Sequence, residues 1–318
     1  MGRIILLLGP TAVGKTRLAM RLYDALGGQT GARLISVDSA LVYRNMNIGS
    51  AKPTPEELAS YPHALIDIRD PSDPYTVAEF VKDADRQVIS ALVAGQTPIL
   101  VGGTMLYAKR FVDGIAELPG TDSLVREALV VELRERGVDA LYEELVAADP
   151  AVAKHIHPNN PQRLLRALEV IRVTGEPLSQ LWQSRAGIPA PKRLGVEGDN
   201  VQMEIVGIVP DDRAKLHQVI EDRFHSMLEL GFLDEVQALR ARGDLHLDLP
   251  AMRAVGYRQA WQHLEGEIDY GQFIADATTA TRRLAKRQLT WMRQWAGMKS
   301  IAASEAQAWL LDRVAPRR

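Results

Sequence analysis

An aliphatic run at residues 4–8 passes without a break into Gly9-Pro10-Thr11-Ala12-Val13-Gly14-Lys15-Thr16, and a helical pattern over residues 15–26 begins inside that segment. Strand, G-x-x-x-x-G-K-[ST] turn and helix in immediate succession define a phosphate-cradling loop, the P-loop. Gly9 and Gly14 permit the close turn in which backbone N–H groups face an anion, and the helix start adds the positive end of its dipole. Lys15 supplies a mobile cation for a terminal phosphate, and Thr16 a hydroxyl for Mg²⁺. The motif identifies a polyphosphate but not its owner: ATP, GTP or another diphosphate fits it equally well.

Short β-branched or aliphatic runs at residues 3–8, 33–37, 65–68, 98–101 and 203–209 alternate with helical patterns such as 15–26 and 77–93. That order predicts an α/β fold with a mainly parallel sheet, a P-loop NTPase-like core. Between residues 124 and 182 the strand signal disappears, and helices are punctuated by Gly137, Pro150, Pro158, Pro161 and Gly175. An all-helical insertion at 116–202 is therefore expected between core segments 1–115 and 203–318. Residues 186–200, rich in glycine and proline, read as a surface connection back to the core, and the helices resume at 213–230, 233–242 and 270–295.

Composition narrows the chemistry. There is no cysteine among the 318 residues, so disulfides, thiolate metal sites and cysteine nucleophiles are excluded. The formal net charge of −2 argues against a globally basic nucleic-acid binder and leaves the question to local charge. The first apolar run is too short for a signal sequence or a membrane span. A cytoplasmic monomer without a membrane partner is the expectation. His155 and His157, with His63 elsewhere, form no metal-ligand pattern.

Asp38 follows the second strand in Ile35-Ser36-Val37-Asp38-Ser39-Ala40-Leu41-Val42-Tyr43. Ligands of doubly wound sheets bind at that edge, where a carboxylate takes a proton from a substrate amine or holds Mg²⁺. A cap or turn role fits the position as well. Many P-loop NTPases carry an aspartate at the end of an apolar strand, but the strand at 98–101 runs into Gly102-Gly103-Thr104, leaving Leu65-Ile66-Asp67 as a substitute.

Further segments carry a resemblance: Asp38-Ser39-Ala40-Leu41-Val42-Tyr43, Ile48-Gly49-Ser50-Ala51-Lys52-Pro53, Val101-Gly102-Gly103-Thr104-Met105-Leu106-Tyr107, Asn160-Pro161-Gln162-Arg163-Leu164-Leu165-Arg166, Arg253-Ala254-Val255-Gly256-Tyr257-Arg258-Gln259 and Lys286-Arg287-Gln288-Leu289-Thr290-Trp291-Met292-Arg293. Together with the P-loop they resemble the tRNA dimethylallyltransferases, the tRNA isopentenyltransferase family, over almost the whole chain. Ser50 stands where that family often has threonine.

The resemblance implies transfer of a dimethylallyl group from dimethylallyl diphosphate to N6 of the adenosine 3′ of the anticodon, in tRNAs reading codons that begin with U. It makes Asp38 the general base, places Lys15 and Thr16 on the diphosphate with Mg²⁺, and sets Thr104 beside the adenine. Arg223 matches a family arginine and becomes a second diphosphate ligand; as an isolated helical residue it reads equally as a solvated partner of Glu221 or Asp222. A small-molecule kinase using ATP, with Asp38 activating a hydroxyl, fits the same order of elements. So does an RNA-binding NTPase switch.

Between Asp276 and Glu305 there is no acid, while Arg282, Arg283, Lys286, Arg287, Arg293 and Lys299 are interleaved with Trp291 and Trp295. Arg282, Lys286 and Arg293 share a helix face able to follow a phosphate backbone. The resemblance sets this block, Asp38 to Leu41, Thr104, Arg126, the Gln162 to Arg166 segment and Arg253 to Arg258 against the tRNA anticodon stem-loop.

Overall fold

The computed structural model describes residues 2–116, 118–184, 187–195 and 201–314. Contacts divide the chain into two compact units, one of Met1–Val112 with Pro191–Arg318 and one of Asp113–Ala190. No helix among the described residues is long and apolar enough to cross a membrane.

The first unit is built on six parallel strands: β1 (Gly2–Leu8), β2 (Ala32–Val37), β3 (His63–Ala64), β4 (Thr97–Gly102), β5 (Val201–Val209) and β6 (Lys299–Ala302). They lie in the order β3-β2-β4-β1-β5-β6. Ile4, Ile5, Leu6, Leu7 and Leu8 of the central β1 are all 0% exposed, as a strand covered on both faces requires. Each such side chain contributes ~1.5–3 kcal/mol of burial. Since every crossover is parallel, the carboxyl ends of all strands share one edge, where the loops that carry chemistry gather.

Helices α1 (Lys15–Ala25), α2 (Pro55–Ser60), α3 (Val77–Val93) and α4 (Met105–Asp113) make the first crossovers. Their starts are written in local chemistry. Thr54 and Thr76 each accept a hydrogen bond from a backbone N–H three residues on, and Glu57 and Glu79 reach back to the cap.

The second unit is helical among its described residues: α5 (Ser123–Ala148), α6 (Pro150–Ala153), α7 (Pro161–Thr174) and α8 (Leu178–Ser184). Gly137, at φ 81° and ψ 168°, breaks α5. Asp149 fixes two helix starts at once, its carboxylate accepting from Val152 N at 3.1 Å and Ser179 N at 2.7 Å. Leu129, Leu141, Leu145, Leu164, Leu165 and Leu168 form its core.

Of the surface connection expected at 186–200, Ala186 and residues 196–200 lie outside the described residues, and the rest includes the short α9 (Ala190–Arg193). The first unit then closes with α10 (Arg213–Glu229), α11 (Phe232–Ala241), α12 (Tyr257–Leu264), α13 (Tyr270–Arg293) and α14 (Ala303–Val314).

Two readings of the sequence need correction. The strand expected at 65–68 is instead the two-residue β3, because Leu65 (φ 67°) and Asp67 (φ 55°) adopt left-handed backbone that no strand accommodates. The sheet also gains β6, which pairs with β5 from Val206↔Lys299 to Val209↔Ala302.

Candidate active site

An open cavity of about 1060 Å³ lies at the carboxyl edge of the sheet, lined by Thr11 to Thr16, Asp38 to Leu41, Thr104 and Arg223. The P-loop reaches it through two left-handed residues, Ala12 (φ 65°) and Gly14 (φ 90°), the latter preceding α1. Gly9 and Pro10 are not among the lining residues. A Cβ on Gly9 would stand 2.8 Å from the Ile208 carbonyl oxygen, so the loop leaves β1 only because this residue has no side chain. Gln288 of α13 clamps the loop from the other side: its Oε1 accepts from Thr11 N at 2.9 Å, and its Nε2 donates to the Gly103 carbonyl at 2.9 Å.

Two cations share this wall without a carboxylate partner among the described residues. Lys15 Nζ donates to the Pro10 carbonyl at 2.6 Å. Burial lowers its pKa to about 8, with Asp38 pulling it up and Arg223 pushing it further down. Burial also lowers Arg223, against the pull of Asp38. The ion pair that the sequence offered for Arg223 is absent: Glu221 takes Arg282 at 2.7 Å, and Asp222 accepts from Gln218 Nε2 at 2.8 Å. Half-buried cations with no carboxylate in direct contact, and only Asp38 acting at a distance, are unfavourable until an anion joins them, which is the electrostatic signature of an anion site.

Asp38 is half-buried and divided in its duties. Oδ1 accepts from Ala40 N at 2.8 Å and Leu41 N at 3.4 Å, fixing the turn, whereas Oδ2 has no hydrogen-bond partner among the described residues. The cap reading and the base reading thus fall on different oxygens of one carboxylate. Thr104 locks the adjacent backbone, its Oγ1 accepting from Ser39 N at 3.0 Å and its N donating to the Val37 carbonyl at 3.2 Å. Asp67, the substitute for a strand-end aspartate, lies outside the lining and pairs with Lys52 Nζ at 2.5 Å. Lys52, whose side chain is 3% exposed, also donates to the Tyr43 carbonyl and Asn47 Oδ1, both at 2.8 Å. Met105, Ile220, Phe224 and Leu284 give the cavity an apolar side.

A family model described as IPP transferase matches residues 41–295. The tRNA dimethylallyltransferase of Chromohalobacter salexigens is 51% identical over 304 residues, 96% of this chain and 93% of that protein. The chain belongs to the IPP transferase family. Among solved structures, the full-length tRNA isopentenylpyrophosphate transferase of Bacillus halodurans is 32% identical, covers 99% of this chain and 98% of its own, and superposes with a TM-score of 0.66. A eukaryotic dimethylallyltransferase acting on tRNA, 22% identical, covers 97% of this chain and 76% of its own at a TM-score of 0.77, and supports the fold.

The segments that carry the family resemblance are distributed unevenly around the cavity. Arg253 to Tyr257 line it, and the exposed Arg258 does not. On α13, Arg287, Gln288 and Trp291 line it too, while Lys286, Arg287, Thr290 and Trp291 border a shallow outer groove that also includes Arg283. Arg293 is exposed and donates to Thr290 Oγ1 at 3.1 Å. Arg282, expected to share the phosphate-following face, is held by Glu221 instead.

The residues expected against RNA differ widely in burial. Leu164 and Leu165 are 0% and 4% exposed in the core of the helical unit, Met292 is 3% exposed, and Gln288 works as the loop clamp. Their side chains pack against the protein. Leu289 is half-buried. In the helical unit Gln162 and Arg163 are exposed, whereas Arg126 and Arg166 both pair with Glu169, itself 1% exposed, at 3.5 and 3.2 Å. The sequence signalled Lys52 only as part of a family segment, and Gln288 only as part of one that the resemblance sets against RNA. Neither structural task leaves a pattern in a single chain.

Proposed function

We propose that this chain transfers a dimethylallyl group from dimethylallyl diphosphate to the exocyclic N6 of the adenosine 3′-adjacent to the anticodon, in tRNAs reading codons that begin with U. The observation that carries the reading is the shared cavity: two cations with no carboxylate in direct contact and the P-loop on one wall, and a carboxylate with one oxygen unbonded among the described residues on the next.

The N6 lone pair attacks the allylic carbon as its C–O bond breaks, the electron pair leaves on the diphosphate, and the N6 proton passes to Asp38 Oδ2. Adenine nitrogen is a weak nucleophile, so stabilising the departing anion matters most; Lys15, Arg223 and the backbone N–H groups of the P-loop supply that stabilisation. Asp38 need not ionise the amine beforehand, because the new C–N bond makes the nitrogen acidic. The apolar side of the cavity seats the five-carbon tail, and the RNA itself closes the chamber against water.

Mg²⁺ fits the residues present. Thr16 lines the cavity with its hydroxyl unpartnered among the described residues, and no cluster of three acidic or histidine ligands exists among them, so the ion would be held by Thr16, diphosphate oxygens and water. Bound there, it adds positive charge beside the leaving group. The exposed side chains of Arg163, Arg258, Lys286 and Arg293 offer phosphate contacts to an anticodon stem-loop. The protein acts as a monomer in the cytoplasm on this reading.

Purified protein given dimethylallyl diphosphate, Mg²⁺ and unmodified tRNA is expected to raise the mass of the tRNA by one dimethylallyl unit and to release diphosphate. Turnover of ATP with unaltered tRNA mass would favour the kinase reading instead.

A further inference from the structure

The loop that follows Asp38 is held in a conformation it would not choose. Asn45 (φ 62°) and Ala51 (φ 51°) are both left-handed without being glycine. Asparagine tolerates such backbone, whereas at an alanine it persists only where the surroundings over-determine it. Gly49, Ser50, Ala51, Lys52 and Pro53 from this loop line the cavity. Lys52 secures one side of the loop, as described above.

Glu235, in the first turn of α11, secures the other. Its Oε2 accepts from Asn47 N at 2.8 Å and Ile48 N at 2.7 Å; its Oε1 accepts from Gly49 N at 3.1 Å and from the Tyr257 hydroxyl at 2.6 Å. Three successive backbone N–H groups converging on one carboxylate form an anion nest, filled here by a side chain of the protein itself. Tyr257, 1% exposed, belongs to the segment that lines the adjoining stretch of cavity wall. Packing follows the same path. A Cβ on Gly49 would stand 2.1 Å from the Phe232 ring, and Phe232 meets Tyr257 edge-on at 5.2 Å.

We infer that Glu235 is a positioning residue of the transfer reaction: its carboxylate ties the 47–53 loop to the 253–257 segment and so sets the shape of the acceptor side of the cavity. It touches no reacting atom. Its charge is what the geometry favours, since four donors point at two oxygens and, of the four, only the Tyr257 hydroxyl can turn to accept from an N–H. This inference rests on the proposed activity, deepening it at the same cavity.

The discriminating pair is Glu235→Gln and Glu235→Asp. Glutamine keeps the volume but turns an NH₂ toward two of the four donors; aspartate keeps both acceptors and leaves a gap. With donor and tRNA saturating, the single-turnover rate of Glu235→Gln is expected to fall at least ~10-fold, the scale on which misplacing reacting groups acts. Affinity for a thio-diphosphate donor analogue should stay near wild type, Glu235→Asp should be the faster of the two, and hydrogen exchange at the amides of residues 47–49 should accelerate in Glu235→Gln. A role in packing alone predicts the reverse order of the two variants, and that order would overturn the inference. So would an unchanged Glu235→Gln rate despite faster exchange, or a parallel collapse of analogue affinity. If the unsubstituted protein transfers nothing, the proposed function fails separately, and the exchange measurement still reports on the nest.

Discussion

Replacing Asp38 with alanine is expected to lower the single-turnover rate of prenyl transfer by about 10²–10⁴-fold, the range for loss of a positioned base, with tRNA affinity nearly intact. Alanine also removes the hydrogen bonds from Ala40 N and Leu41 N, so a slow variant alone does not separate base from turn. Asp38→Asn does. Its amide oxygen keeps the Oδ1 contacts, while the group facing the cavity loses the ability to take a proton. The account expects the asparagine variant to be nearly as slow as alanine and its fold to be undisturbed by circular dichroism and melting. An asparagine enzyme running at the normal rate removes Asp38 as the proton acceptor.

The second large effect concerns the leaving group. Arg223→Ala should cost about 10²–10³-fold in kcat/KM for the donor, as removal of one preorganised anion ligand does. Lys15 adds a pH signature. Its folded pKa, lowered from 10.5 to about 8 by burial, corresponds to a cost of roughly 3 kcal/mol for keeping the ammonium charged, at ~1.4 kcal/mol per unit. A bound diphosphate offsets that cost. Below pH 8 the ammonium is present and the donor is attracted; as pH rises through 8 the proton is lost and donor affinity should decline. Stability moves the other way. Between pH 8 and 10.5 the unfolded chain holds the proton more tightly than the folded one, so the contribution of Lys15 to stability rises with pH. Isothermal titration of the donor analogue at pH 7 and pH 9 reads the affinity change directly, and Lys15→Arg, which does not titrate in this range, should abolish the Lys15 part of it. A pH-dependence that survives unaltered in Lys15→Arg would assign the effect to another group.

The legible parts of this fold are those where one local rule acts alone. β1 is a continuous aliphatic run because it is covered on both faces, and the P-loop is written in consecutive residues. α3 begins at a capping box and ends on schedule at Val93. β6 escaped because a four-residue edge strand needs only one buried side chain, Ile301, which leaves no alternation to read. The strand expected at 65–68 misled for the opposite reason: its apolar residues suit a strand, but the left-handed backbone at Leu65 and Asp67 turns the chain so that Asp67 meets Lys52.

The site divides in the same way. Lys15 and Thr16 were readable from the motif, whereas the strand end drew attention to Asp38 without choosing between a turn role and a base, a choice that only the family resemblance made. Arg223 was visible only through the family resemblance, since its surroundings read as an ordinary charged helix, and its isolation from Glu221 and Asp222 is a tertiary fact. On α13 the sequence shows cations and tryptophans but not which residues turn inward. Helical geometry buries Ala277, Ala285, Gln288 and Met292 on one side and leaves Lys286, Arg287 and Arg293 outside.

The most direct measurement is a co-crystal structure of the protein with a non-reactive thio-diphosphate donor and an anticodon stem-loop. The account predicts the diphosphate on the P-loop against Lys15 and Arg223, and the target adenine turned out of the loop with N6 within hydrogen-bond distance of Asp38 Oδ2. A donor and an adenine lodged in separate compartments, with Asp38 facing neither, would contradict it.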